Sequence, residues 1–374
     1  MTGAHRQATM EFAWTQDQQR LRAEAAEVAA DAVARFGWHP DSWINGFSPT
    51  FAKEMAARRW IGLTWPTEHG GAARPGIDRM IVAEELISAG APVGAYWVAE
   101  RQMGPSIIAF GTPEQQARYL PAILAGEAVW CIGMSEPGAG SDLASLRTSA
   151  RRHGDSWMIN GQKIWTSFAA VADFCYLICR TSSDGPPHAG ISELIVPMDS
   201  PGVEVRPIRD LVGGAHFCEV FFSDVRVPAA NLVGVEGAAF KQTMRQLEHE
   251  RGGIDRLASN QALFRRAVEH SDTSDPLIRQ EIARLEAHYR LGRLLVYRQA
   301  LAQAPNGFSA ATKCFCTEHE ARVADFVGRI FAADTLLAGD AARAVCYAPA
   351  YTVMGGTANV MRNIVAERLL GLPR

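Results

Sequence analysis

The hydrophobic period changes twice along this chain, and a single element cannot serve both periods. Up to about residue 126 the apolar residues keep helical spacing: Leu21, Ala25, Val28, Ala29 and Val33 form one stripe, and Met80, Ile81, Ala83 and Leu86 another. Thr15 with Gln18 reads as a capping-box start. Thr112-Pro113-Glu114-Gln115 reads as a second helix start, with Pro at the first helical position and Gly126 at the far end. From about 127 to 234 the runs become short and punctuated by Gly, Pro and Asp. Phe174 to Cys179, Ile191 to Val196, Val203 to Arg206 and Glu219 to Phe222 read as strands, and Asn160-Gly161 as a hairpin turn. From about 235 the chain is helical again, with long candidates over Phe240 to Phe264, Asp275 to Ala302 and Ser309 to Leu337, and a closing segment over Ala350 to Leu370. The expected organisation is α+β and multidomain: helical over 1–126, antiparallel β over 127–234, helical over 235–374.

Composition excludes several classes. A chain of 374 residues with net charge −3 is long enough for two or three domains and has no basic bias that would suit nucleic acid. No unbroken apolar run is long enough to span a bilayer, and the start of the chain lacks the apolar stretch of a signal peptide, so a cytoplasmic protein that does not enter membranes is expected. The seven Cys carry no metal spacing and read as reduced structural thiols.

Two glycine-bearing segments carry the chemistry. The first is Cys131-Ile132-Gly133-Met134-Ser135-Glu136-Pro137-Gly138-Ala139-Gly140-Ser141-Asp142-Leu143, followed by Gly161-Gln162-Lys163-Ile164-Trp165-Thr166-Ser167. Glycines with small hydroxyl residues let backbone N–H groups approach phosphates and a flat ring closely. Ser135 and Ser167 suit the polar edge of such a ring, and Trp165 offers a flat apolar wall. The bland alternative is a turn between helix and strand with Trp165 in the core. The second segment is Gly355-Gly356-Thr357-Ala358-Asn359-Val360-Met361-Arg362-Asn363, whose bland alternative is a capped amphipathic helix.

Together these segments resemble the acyl-CoA dehydrogenase flavoproteins over nearly the whole chain. The resemblance implies a helical N-terminal domain, a small middle β barrel and a C-terminal four-helix bundle. It implies FAD, held by Ile132, Met134, Ser135, Gly140, Ser141, Trp165, Thr166, Ser167, Thr357 and Asn359. It implies an acyl-CoA substrate touching Ser141, Glu248, Arg251 and Gly355, with electron-transfer flavoprotein as the acceptor and a dimer or a homo- or heterotetramer as the assembly. The reaction implied is removal of an α proton and a β hydride, giving the trans-2-enoyl thioester.

Many relatives carry the base just before the Gly-Thr pair near the C-terminus, where this chain has Gly355. Others carry it in a Leu-x-x-Glu-Arg setting, here Leu247-Glu248-His249-Glu250-Arg251. On a continuous helix at about 100° per residue, Phe240, Leu247, Arg251, Ile254 and Ala258 fall within roughly 40° of one line, and Glu250 about 60° from Leu247 on the inward side. An inward carboxylate is costly unless paired or used. The alternatives are an ion pair with Arg251 or Arg256 and a general base of raised pKa. Gly355 keeps the N–H that the family aims at the thioester oxygen, and its missing side chain leaves room for a branched or polycyclic acyl group.

Two familiar segments are missing. An Arg-x-x-Phe-Gly stretch after the first bundle helix is replaced by Arg265-Arg266-Ala267-Val268-Glu269-His270-Ser271-Asp272, and a later Gly-Gly-x-Gly turn by Phe331 to Gly339. Such gaps resemble actinobacterial acyl-CoA dehydrogenases for steroid side chains, in which two unlike chains build the flavin sites. Three roles follow: an active dehydrogenase, a partner subunit that completes an active companion, or a relative repurposed for another reaction on a CoA thioester.

Overall fold

The computed structural model describes residues 13–373, the side chains of 245–250 excepted. Helices α1 (Gln16–Phe36), α2 (Ser42–Asn45), α3 (Pro49–Ala57), α4 (Gly76–Ala89), α5 (Gly94–Val98), α6 (Gly104–Phe110) and α7 (Pro113–Leu124) build the first layer. The capping boxes at Thr15 and Thr112 are both formed. Between α5 and α6 the helix widens into a π turn, Ala99–Met103. That winding brings Ala99, Glu100 and Arg101, three consecutive residues, into the interior.

The middle of the chain forms one sheet from β1 (Trp130–Gly133), β2 (Ser149–His153), β3 (Ser156–Ser167), β4 (Phe174–Arg180), β5 (Ile191–Pro197), β6 (Val203–Ile208), β7 (Phe217–Pro228) and β8 (Leu232–Val233). The order is β6-β7-β3-β2-β4-β5-β8, with β1 beside β4. Two expectations are corrected here. The sheet is mixed, because β1 runs parallel to β4 and β2 meets β4 in parallel at Ser149 and Arg180. Its path is also open, ending at β6 and β8, so the barrel does not close.

A third correction concerns Asn160-Gly161. The hairpin between β2 and β3 turns at Gly154-Asp155, while β3 runs straight through Asn160-Gly161. Gly161 there takes φ 148 at a register shift against β7. The pair marks a bulge in a long strand, and a Cβ at Gly161 would lie 2.5 Å from Thr148 Oγ1.

The last third holds α8 (Ala239–Arg251), α9 (Asp255–Ala258), α10 (Gln261–His270), α11 (Pro276–Ala300), α12 (Phe308–Phe331), α13 (Asp340–Tyr351) and α14 (Ala358–Ile364), with a closing π turn at Val365–Leu369. The single helix expected over Phe240 to Phe264 breaks after Arg251 at Gly252-Gly253. Helical angles therefore relate residues only within α8, and Ile254 and Ala258 reach the core on different geometry. The core runs continuously from the N-terminal helices through β1 and β4 to α9, α10 and α12. Among the described residues no helix is long and apolar enough to cross a membrane, and no cluster suits a metal ion. All seven cysteines are free, as expected.

Candidate active site

The glycine-rich loop after β1 is fixed by a buried ion pair that no sequence motif announces. Lys163 alternates with Trp157 and Ile159 on the buried face of β3, and its ammonium is 0% exposed. It donates to Glu136 Oε1 at 2.8 Å and to the Met134 carbonyl at 2.9 Å. Glu136 also accepts from the backbone N–H of Arg147 at 2.7 Å and of Thr148 at 2.9 Å. Burial alone would raise the Glu136 pKa, but Lys163 and these N–H donors hold it below the usual carboxylate range. A Lys at an inward strand position was the available signal, since such a residue is buried only when paired.

The loop's own backbone closes on itself, Glu136 and Ala139 exchanging N–H···O bonds of 2.9 and 3.0 Å. Ile164 N–H donates to the Ser135 carbonyl at 2.9 Å, joining loop to strand. A methyl placed on Gly138 or Gly140 would meet nothing within 4 Å, and Gly140 and Ser141 are exposed. Trp165 is not a core residue: it is 56% exposed at φ 61, edge-on to Phe217. A bulky residue at positive φ costs free energy that a register shift between Lys163 and Thr166 imposes. Ile132, Met134, Ser135 and Ser167 are half-buried. Thr166 is buried, and its hydroxyl has no hydrogen-bond partner among the described residues. An exposed indole wall, small hydroxyls and open space above two glycines fit a flat aromatic cofactor with a phosphate tail.

The second segment meets the first through packing. Phe217, beside Trp165, sits in a cluster with Tyr347, Tyr351 and Met354. Gly355 and Gly356 follow with φ 67 and 91, a turn only glycine enters without strain. A Cβ at Gly356 would lie 3.5 Å from Arg251 Nη2, so the guanidinium carried by the last residue of α8 lies against this turn. Arg251 itself is buried. Thr357 caps α14, accepting from Val360 N–H at 3.2 Å, and Asn359 is exposed. Glu248 and Glu250 lie outside the residues whose side chains are described.

Buried polar groups hold this assembly. Glu193, on β5, accepts from Tyr176 at 2.8 Å, Gln242 at 2.9 Å and Thr243 at 2.7 Å, tying α8 to the sheet. Tyr351 donates toward Asp41 (2.8 and 3.0 Å) and accepts from Asn260 Nδ2 at 2.8 Å, anchoring the stem of the Gly355 turn. Burial raises the Asp41 pKa, opposed by the hydrogen bond from Tyr351. A cavity of about 610 Å³ opens directly beyond the end of α8, lined in part by Gly252, Gly253 and Asp255.

Helical flanks around a β layer, with a glycine loop beside an exposed indole and a glycine turn against Arg251, make this the candidate site for a flat cofactor. The chain belongs to the acyl-CoA dehydrogenase family, whose members are FAD flavoproteins and oxidoreductases. Models of the family's N-terminal domain match residues 15–127, its middle domain 131–225 and its C-terminal domain 237–370. The acyl-CoA dehydrogenase IpdE1 of Mycobacterium tuberculosis is 38% identical over 86% of this chain and 87% of its own length. FadE26 of the same organism is 35% identical over 98% and 99%. Among solved structures, the Tcur3481-Tcur3483 steroid acyl-CoA dehydrogenase has a TM-score of 0.88 at 32% identity, covering 98% of this chain and 100% of the other. The ChsE4-ChsE5 complex from Mycobacterium tuberculosis has 0.85 at 32%, with the same coverage.

Proposed function

We propose that this chain dehydrogenates a bulky acyl-CoA thioester to its trans-2-enoyl product, with Glu250 as the base. The observation that carries the reading is the seating of Arg251 on the Gly355-Gly356 turn. It brings the side chain of Arg251, next to Glu250 in the sequence, to the turn that carries the Gly355 amide. Glu250 takes the Cα proton, and the Gly355 N–H donates to the thioester oxygen as negative charge develops there. Bound FAD supplies the acceptor for the Cβ hydride. Ile132, Met134, Ser135, Gly140, Ser141, Trp165, Thr166, Ser167, Thr357 and Asn359 would hold it, and Ser141, Glu248 and Arg251 would contact the acyl-CoA. The substrate loses one proton and one hydride, the hydride carrying both electrons, and two C–H bonds give way to one C=C bond.

We propose further that domain boundaries fall near 126/127 and 234/235, that the protein works in the cytoplasm, and that an electron-transfer flavoprotein takes the electrons. A bulky, steroid-like acyl group is favoured by the missing side chain at Gly355 and by the solved steroid relatives. Glu250→Gln should keep flavin and lose substrate reduction by about three orders of magnitude. Unchanged anaerobic bleaching of the flavin would remove Glu250 from the mechanism.

A second reading rests on the altered 265–272 and 331–339 segments. There the chain completes its flavin site with an unlike partner, as the two-chain names of the solved relatives suggest. Purified alone it would then hold well under one flavin per chain, and co-expression with the companion would restore it. One flavin per chain in the isolated protein would dismiss this reading.

A further inference from the structure

We propose that Asp41 is a positioning residue for the Gly355 amide, acting from the N-terminal layer through the Tyr351 hydroxyl. The inference rests on the reading that this amide meets the thioester oxygen, and it adds the group that holds the amide in place.

The backbone at Asp41 comes first. Asp41 has φ 50, a left-handed conformation that costs a non-glycine residue free energy. It stands at the N-cap of α2, yet among the described residues its side chain makes no capping bond there. The carboxylate turns instead to the Tyr351 hydroxyl, 310 positions along the chain, at 2.8 and 3.0 Å. Asp41 is 1% exposed and Tyr351 2%, so the contact is closed to bulk solvent. Asp41 is also seated on the end of α9. Its N–H donates to the Ser259 carbonyl at 3.4 Å, and the nearby Trp43 indole N–H donates to Ser259 Oγ at 2.9 Å.

The far side of the hydroxyl is equally constrained. Asn260 Nδ2 donates to the Tyr351 oxygen at 2.8 Å, so the phenolic proton is directed at Asp41. Asn260 is itself fixed, its backbone N–H donating to Glu320 Oε2 on α12 at 2.9 Å. Burial raises both carboxyls. The Tyr351 bond, Arg343 and Arg256 pull Asp41 back, whereas the Asp41 charge pushes Glu320 further up. Asp41 is therefore the charged acceptor and Glu320 the neutral acid. Just before Asn260, α9 is pinned to the π turn by the buried ion pair of Arg101 with Asp255. Gly253 leaves room for that pair, since a Cβ there would lie 2.1 Å from both Arg101 Nη2 and Asp255 Oδ1.

Tyr351 ends α13, and its carbonyl accepts from the buried Lys313 ammonium at 3.4 Å. The residue is thus held at the ring and at the main chain. The next carbonyl, that of Thr352, accepts from Ala358 N–H at 2.8 Å and closes the turn that carries Gly355. A shift of the ring passes to the amide through this short closed segment. A donor moved off the developing oxyanion loses its effect on the transition state.

The test uses the flavin-loaded protein and acetoacetyl-CoA. The β carbon of this thioester carries no hydrogen, so it can lose the Cα proton but no hydride. The pH at which the bound thioester becomes its enolate, read from the long-wavelength band it forms with oxidised flavin, reports the oxyanion contact without turnover. Asp41→Asn and Tyr351→Phe should each raise that midpoint by about one unit, a roughly tenfold weaker stabilisation. The double variant D41N/Y351F should rise no further than Tyr351→Phe alone, because both changes act on one path. The direction separates position from charge: loss of a negative charge by itself favours the enolate and lowers the midpoint. Asn tolerates the left-handed backbone, so Asp41→Asn keeps the local fold. A midpoint unmoved or lowered in folded, flavin-loaded Asp41→Asn overturns the proposal, and so does a double variant in which the two shifts add. Where Asp41→Asn does not hold flavin, Tyr351→Phe decides, since the path runs through that hydroxyl and an unmoved midpoint there removes it. A wild-type protein that never forms the enolate overturns the oxyanion reading of Gly355 itself, and the inference with it.

Discussion

Lys163 shows how one residue controls a loop it does not belong to. Removing it leaves Glu136 buried and charged among N–H groups arranged for a paired carboxylate. Lys163→Met should cost about 3–5 kcal/mol, and the double change K163M/E136L clearly less, since a lone buried charge is worse than none. Chemical denaturation of the single and double variants measures the difference. Trp165 gives the opposite case. Because it is exposed and held at positive φ, Trp165→Gly should leave stability within about 1 kcal/mol while flavin content falls. A large loss of stability would return Trp165 to a structural role. At residue scale, then, the two variants should separate stability from flavin binding at side chains only two positions apart.

The elements around the site are joined by breaks rather than by long regular runs. The interruption at Gly252-Gly253 ends α8 beside the Gly355 turn and opens the cavity. Gly253→Ala would drive a methyl into the Arg101–Asp255 pair, and should destabilise by about 1–3 kcal/mol, read as a lowered midpoint in denaturant. Tyr351, on α13, anchors the same turn from the other side through Asp41 and Asn260. Tyr351→Phe removes a donor from a buried carboxylate and should cost about 1–3 kcal/mol. If the Gly355 amide serves the thioester, this variant also lowers kcat more than it raises KM.

The molecule as a whole carries two further consequences. His216 lies at the junction of β7 and α13, its Nε2 3.4 Å from the Tyr347 hydroxyl. Burial, aided by Arg343 and opposed by Asp210, lowers its pKa to about 4. The unfolded imidazole titrates near 6.5, so below that pH the unfolded chain takes up a proton the folded one refuses. Stability should therefore fall as pH drops from about 6.5 to about 4, by up to about 3 kcal/mol. His216→Gln should flatten that part of the profile, measured as denaturant midpoints across pH. Leu336, Leu337, Val353, Leu370 and Leu372 are all exposed near the end of the chain. We propose that Leu336 and Leu337, adjacent and exposed, belong to an interface with another chain. L336E/L337E should lower the mass found by light scattering without lowering the melting temperature of the remaining fold.

Local stereochemistry accounts for what could be read of the fold along the chain, and the resemblance to a family for the cofactor, the substrate and the site residues. The capping boxes at Thr15 and Thr112 need only four consecutive residues, and the switch in hydrophobic period needs only the spacing along one segment. The helix–sheet–helix order and the two glycine segments were legible for that reason. What remained depended on distant partners. Asn160-Gly161 has the local chemistry of a tight turn, yet pairing with β7 pulls it into a bulge. The mixed sheet depends on β1 reaching β4 across about forty residues, and loop closure over that distance leaves no local trace. Lys163 with Glu136, and Arg101 with Asp255, are pairs 27 and 154 positions apart. Each charge looks ordinary alone, and only the fold that buries both turns it into a brace for a loop or the floor of a cavity.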